Sequence, residues 1–119
     1  MKKLIFGALT LFTGFSAFSQ ISIAEARELG IGQTVTVSGV VTNGSELGPI
    51  RYLQDGTAAI AAYGTNLNGV QRFDSITVTG VLFDFSGLLE LSPVNSFTNH
   101  GQATVIPSPL QLPITSAAE

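Results

Sequence analysis

Two tyrosines, Tyr52 and Tyr63, are the residues of this 119-residue chain best placed to do chemistry with a ligand. They flank an Asp55-Gly56-Thr57 turn between two extended runs. If Leu53 and Ile60 point into a core, the period-2 alternation of strands sends Tyr52, Gln54, Ala59, Ala61 and Tyr63 to one outer face. Two aromatic rings above small alanines make a platform on which a nucleobase or a sugar ring can stack, and a stacked base is worth roughly 1–3 kcal/mol. The competing expectation is that both rings only cover the protein, with their hydroxyls in water. Arg51 and Arg72 are the candidate phosphate contacts, although the core phase of Arg51 places it at a rim or a bulge. Phe83 and Phe85 flank Asp84. Phe85 is a candidate stacking residue, and at least one of the two phenylalanines is expected in the core.

No catalytic set accompanies these residues. His100 is the one histidine, set between Asn99 and Gly101 in a polar stretch and expected to be exposed. A nucleophile–histidine pair with Ser92 or Ser96 would need a buried imidazole held by a third group, and the sequence offers none. Asp55, Asp74, Asp84 and Glu90 are scattered without the ligand spacing of a calcium loop. With no cysteine, thiol chemistry and thiolate metal sites are excluded. No cofactor is expected, and the chain reads as non-catalytic.

The elements that must position these groups are strands. Thr34–Val41 alternates threonine and serine with valine up to Gly39, and the pattern returns 41 residues later: VTVSGV (Val35–Val40) is echoed by ITVTGV (Ile76–Val81), with Gly80 in the place of Gly39. Glycine inside a strand marks a bulge or a bend, and two long strands each bent at a glycine point to a small closed barrel rather than a flat sheet. Strands are predicted at Thr34–Thr42, Ile50–Gln54, Ala58–Tyr63, Ser75–Phe83 and Leu88–Leu91. Pro93 is expected to end or interrupt the last, leaving residues 92–101 irregular and 103–106 as a short edge strand. Before them, Ser22 and Glu25 match a capping box opening a helix through Leu29, stopped at Gly30 and burying Ile23, Ala26 and Leu29.

The ends read differently. Lys2 and Lys3 precede a mostly apolar stretch from Leu4 to Phe18, with Ala17 and Ser19 suiting a cleavage site, which is the layout of a secretory signal peptide over residues 1–19. The stretch is interrupted by Thr10, Thr13, Gly14 and Ser16 and falls short of the roughly 20 apolar residues of a membrane span. The expected location is therefore secreted, periplasmic or at the cell surface, with no membrane span after cleavage. Residues 20–107 hold one domain, and 108–119, in a stretch with prolines at 107, 109 and 113, read as a Pro-rich linker or the start of a downstream domain. Without residues 1–19, three arginines face eight acids, a net charge of −5. Such a surface repels phosphate at long range, which argues against strong autonomous binding to nucleic acid.

Five short strands, a bent first strand, a hairpin through YLQDGT and a bent fourth strand describe an all-β fold, the five-stranded OB-fold Greek-key barrel, here with a short N-terminal helix. The segments Ser22–Thr42, Tyr52–Tyr63 and Asp74–Leu91 resemble in particular the OB-fold module of secreted bacterial nucleases and endonuclease/exonuclease/phosphatase-type surface proteins. The tail resembles the join to their following domains. The chain departs from that pattern at Ala58 and Ala59, where related hairpins carry glycines, and in lacking a long helix between the third and fourth strands. The resemblance implies a ligand face on strands two and three, flanked by the loops after strands one and four. That face would hold Tyr52, Gln54 and Tyr63, with Asn43 and Phe85 in the flanking loops and Arg51 and Arg72 as phosphate contacts. The implied partners are single-stranded nucleic acid, bound weakly, or an oligosaccharide, with a catalytic domain downstream. The rival role is a module that packs against a neighbouring domain or protein.

Overall fold

The structure, a computed structural model, describes residues 19–108; the signal peptide and the Pro-rich linker expected at the two ends lie outside the described residues. One helix, α1 (Ile23–Arg27), precedes five strands, β1 (Thr34–Val41), β2 (Ile50–Gln54), β3 (Ala59–Tyr63), β4 (Asp74–Phe85) and β5 (Leu88–Gln102). They close a barrel in the order β1-β2-β3-β5-β4. Every pair is antiparallel except β3 with β5. This is the strand order of the OB-fold, a five-stranded partly open Greek-key barrel.

The two echoed segments find each other. β1 and β4 pair without a break from Thr34↔Val81 to Val40↔Ser75, so Gly39 faces Ile76 and Gly80 faces Val35. Both glycines point inward, where another strand crosses close by. A Cβ on Gly39 would lie 3.0 Å from the backbone N and O of Gln54, and one on Gly80 would lie 2.9 Å from the Pro93 carbonyl oxygen. The absent side chain at each corner is what lets β1 pass from β4 onto β2, and β4 from β1 onto β5.

Alternation fills the barrel from all five strands: Val35, Val37 and Val41, Leu53, Ile60 and Ala62, Ile76, Val78 and Leu82, and Leu91 and Val94 are buried together. Burying each large aliphatic side chain contributes about 1.5–3 kcal/mol. Helix α1 covers the end at the β2–β3 turn, placing Ile23 and Ala26 in this core. The Ser22–Glu25 capping box is formed, and Asp55 ties the helix to the hairpin by accepting the Ile23 N–H at 2.9 Å. Leu67 and Val70, in the connection after β3, add to the core from that strand's other end.

Three expectations are corrected. The helix stops before Leu29, which is 45% exposed, and the left-handed glycine is not Gly30 but Gly32 (φ 96°), whose N–H donates to the Leu82 carbonyl at 2.8 Å. β5 does not end at Pro93 but runs to Gln102. The proline sits where the β4–β5 register shifts around Gly80, a bulge in which its missing N–H leaves no gap in the ladder. Residues 103–106 form no edge strand.

Candidate ligand-binding groove

Paired residues on neighbouring strands share a face, so the outer wall of a barrel is a set of rows running across the strands. One row crosses four strands here. Tyr52 on β2 stands opposite Ala61 on β3, Ala61 opposite Glu90 on β5, and Glu90 opposite Phe83 on β4. On one side of it Ile50 faces Tyr63, and on the other Leu88 faces Phe85. The wall is low in the middle, where Ala61 contributes only a methyl group, and high at the rings. The result is a groove of about 440 Å³ walled by Tyr63, Phe83 and Phe85, edged by Leu47, Ile50 and Leu88, with Glu90 and Ser92 inside. That volume lies in the ~300–1,000 Å³ range of small-ligand sites.

Glu90 is 4% exposed, yet among the described residues nothing donates a hydrogen bond to its carboxylate. Burial alone pushes its pKa above the usual glutamate value, with no charge or hydrogen bond to offset it. It reaches this place through strand parity: Leu89 and Leu91 turn inward, so Leu88, Glu90 and Ser92 must turn outward. Among the described residues no cation lines the groove. Its chemistry is therefore that of aromatic faces around an acceptor, suited to a planar ligand that donates hydrogen bonds.

Of the expected ligand contacts, Tyr63 and Phe85 meet in this groove, both exposed. Phe83 joins them, so neither phenylalanine lies in the core. The others are elsewhere. Tyr52 keeps the outward phase but lies at the far end of its row, beyond the groove. Gln54 lines a separate hollow beside Gly39 and Val105, and its Nε2 donates to the Ser108 carbonyl at 2.6 Å. Arg51 is fully buried. Its Nε donates to the Val70 carbonyl, one terminal nitrogen to those of Gly48 and Ile50, and the other to that of Asn68, at 2.6–3.1 Å. It sits at the rim, as its phase required, and there it pins two loops together. Asn43 is buried as well, accepting the Tyr52 N–H at 2.8 Å and donating to the Ile50 carbonyl at 3.0 Å. Arg72 is exposed but pairs with Glu46 at 2.7 Å and donates to the Thr42 carbonyl. His100 is exposed, its Nε2 2.8 Å from the Thr77 hydroxyl. Among the described residues no three His, Asp or Glu side chains converge as a cation site.

Sequence reasoning missed Leu47, Ile50, Leu88, Glu90 and Ser92. The signal for the last three was present in LLELS, whose alternation sets Leu88, Glu90 and Ser92 on one face.

No protein-family model matches the chain, and no match is found among curated proteins. Solved structures do resemble it. The hypothetical protein ygiW from E. coli superposes with a TM-score of 0.55 at 17% identity, over 71% of this chain and 99% of that one. A chain of the S. pombe Stn1–Ten1 complex gives 0.52 at 16%, over 71% and 78%. Asparaginyl-tRNA synthetase from Pyrococcus horikoshii gives 0.56 at 17%, over 78% of this chain but only 26% of the synthetase. At such identities the likeness is one of fold, and with the barrel's strand order and its single parallel pair it makes this chain an OB-fold module.

Proposed function

We propose that this chain is an exported, non-catalytic OB-fold module that holds single-stranded nucleic acid in the Tyr63–Phe83–Phe85 groove by base stacking. The observation that carries the reading is the gathering of three exposed aromatic side chains from β3 and β4 around one groove on the outer wall. Every base has a π face, so such a site tolerates many sequences. The likeness to OB-fold structures that include a telomere-capping protein and tRNA synthetases supports it. Export rests on the signal-peptide layout of residues 1–19, and a place ahead of the catalytic domain of a secreted nuclease-like protein on the sequence resemblance alone.

The absence of a cation from the lining makes the binding weak and nearly insensitive to salt. Proteins that neutralise six to ten phosphates lose about 10³–10⁵ in affinity between 50 and 200 mM salt; a stacking groove should lose almost none. The test is fluorescence anisotropy of a labelled oligothymidylate titrated with the full chain. Phe83→Ala and Phe85→Ala should each weaken binding about 5- to 100-fold. Unchanged affinity in both variants would overturn the reading. Oligosaccharide binding in place of oligonucleotide binding would move the ligand class, and capture of neither would favour docking of a partner domain.

A further inference from the structure

Resting on that stacking reading, we infer that Glu90 makes the groove selective for guanine, whose Watson–Crick edge lies against the carboxylate while its ring stacks on the surrounding aromatics. A carboxylate accepts on two oxygens and donates nothing when ionised. Guanine presents two donors side by side on that edge, N1–H and the N2 amino group, and so meets both oxygens. Cytosine and adenine each set one amino donor beside a ring-nitrogen acceptor, which the second oxygen repels. Thymine and uracil offer a single N–H between two carbonyls. The edges of an unpaired base are accessible in a single strand, so the geometry needs no groove of a duplex.

The protein has left this acceptor unanswered. Glu90 is almost fully buried in the middle of the four-strand row, with Phe83 across one strand gap and Ala61 across the other. No lining residue is cationic, and among the described residues no donor reaches the carboxylate. Its oxygens open only onto the groove, so an occupant that displaces water from them is penalised if it leaves them unpaired and rewarded if it satisfies them. That asymmetry lets a hydrogen-bonding site discriminate far more sharply than an apolar wall of the same shape. The absence of cations also excludes the commonest competing solution, a phosphate in the same position. Ser92, also in the groove, adds a hydroxyl that serves as donor or acceptor.

The experiment compares labelled thymidine oligomers carrying one central guanine, hypoxanthine or thymine, each titrated with the full chain. Guanine should bind about tenfold or more tighter than thymine, because two charge-assisted bonds are gained. Hypoxanthine, which lacks the N2 amino group, should fall between them. Glu90→Gln keeps the size of the side chain but replaces one acceptor with a donor, and should abolish the guanine preference, bringing the ratio of guanine to thymine affinities to about one. Phe83→Ala should instead weaken all three strands alike. Equal binding of the three bases by the unaltered chain would overturn the base-edge inference and leave stacking intact. Failure of every strand to bind would overturn both.

Discussion

Two acids of this barrel are buried to nearly the same degree and treated in opposite ways. Asp74, 6% exposed, opens β4 and has its oxygens met from three sides. The Gln71 N–H reaches Oδ2 at 2.8 Å, Asn99 Nδ2 reaches the same atom at 2.9 Å, and Gln102 Nε2 reaches Oδ1 at 2.7 Å. Burial raises the Asp74 pKa, but these hydrogen bonds outweigh it and hold the carboxyl below its usual value. Glu90, 4% exposed on β5, has burial without the bonds, and its pKa is raised. Burial of a charge therefore says little about its role. What separates structure from function here is whether the fold itself supplies the partner.

The largest test of that contrast is deletion. Asp74→Ala would leave the Gln71 N–H and two side-chain amides without their acceptor, and should lower stability by about 2–4 kcal/mol in urea denaturation. A loss no larger than that of a surface aspartate would break the comparison. Gly80→Ala comes next. Its Cβ would press on the Pro93 carbonyl and on Leu91, 3.1 Å away and next to Glu90. A cost of about 1–3 kcal/mol is expected, with weakened oligonucleotide binding because β5 is displaced beneath the groove. Glu90→Gln should do the reverse of Asp74→Ala and stabilise the chain at neutral pH by about 1 kcal/mol or less, since it removes a charge that partial burial disfavours and that no described residue pairs.

The sharpest version is a pH series. Asp74 has a folded pKa below its unfolded one, so the stability it contributes is present at neutral pH and lost as pH falls through the carboxylate range. Glu90 has a folded pKa above its unfolded one, so its contribution is fully present at acidic pH and lost as pH rises through the folded value. Stabilities of the unaltered chain and Glu90→Gln should thus converge in acid and separate as pH rises. Curves that stay parallel would mean Glu90 is better solvated than its burial indicates. The smallest difference is expected among the rings: Tyr63→Ala should weaken oligonucleotide binding several-fold and Tyr52→Ala hardly at all, because only Tyr63 borders the groove.

Much of this architecture was legible because β-branched alternation and the Gly39/Gly80 echo report on barrel walls directly. The capping box of α1 and the Asp55 turn were equally plain, being local chemistry within four residues. Legibility failed where a tertiary event overrode a local rule. Pro93 ends strands in most contexts, but a bulge opposite Gly80 absorbs it, and the outward parity of Glu90 within Leu88–Leu91 pointed to no partner until β3 and β4 were in place beside it. Arg51 and Asn43 looked available because a sequence cannot say which backbone carbonyls and N–H groups will come near. The outer phase of Tyr63 was readable from the hairpin. Of its company, Phe85 was named through the resemblance, while Phe83 was not, since both arrive from a strand that lies two places away in the sheet.

The seam between the echoed segments also joins parts of the chain that lie far apart in sequence. Thr36 and Thr79, hydroxyl to hydroxyl at 2.7 Å, are 43 positions apart in the chain, so this ladder cannot zip until a long loop has been drawn shut at an entropic cost. The β2–β3 hairpin shortens that loop once it has formed. Closure of the wall accordingly waits on residues far apart in the chain, and the glycines at its corners admit the close strand crossings that complete it.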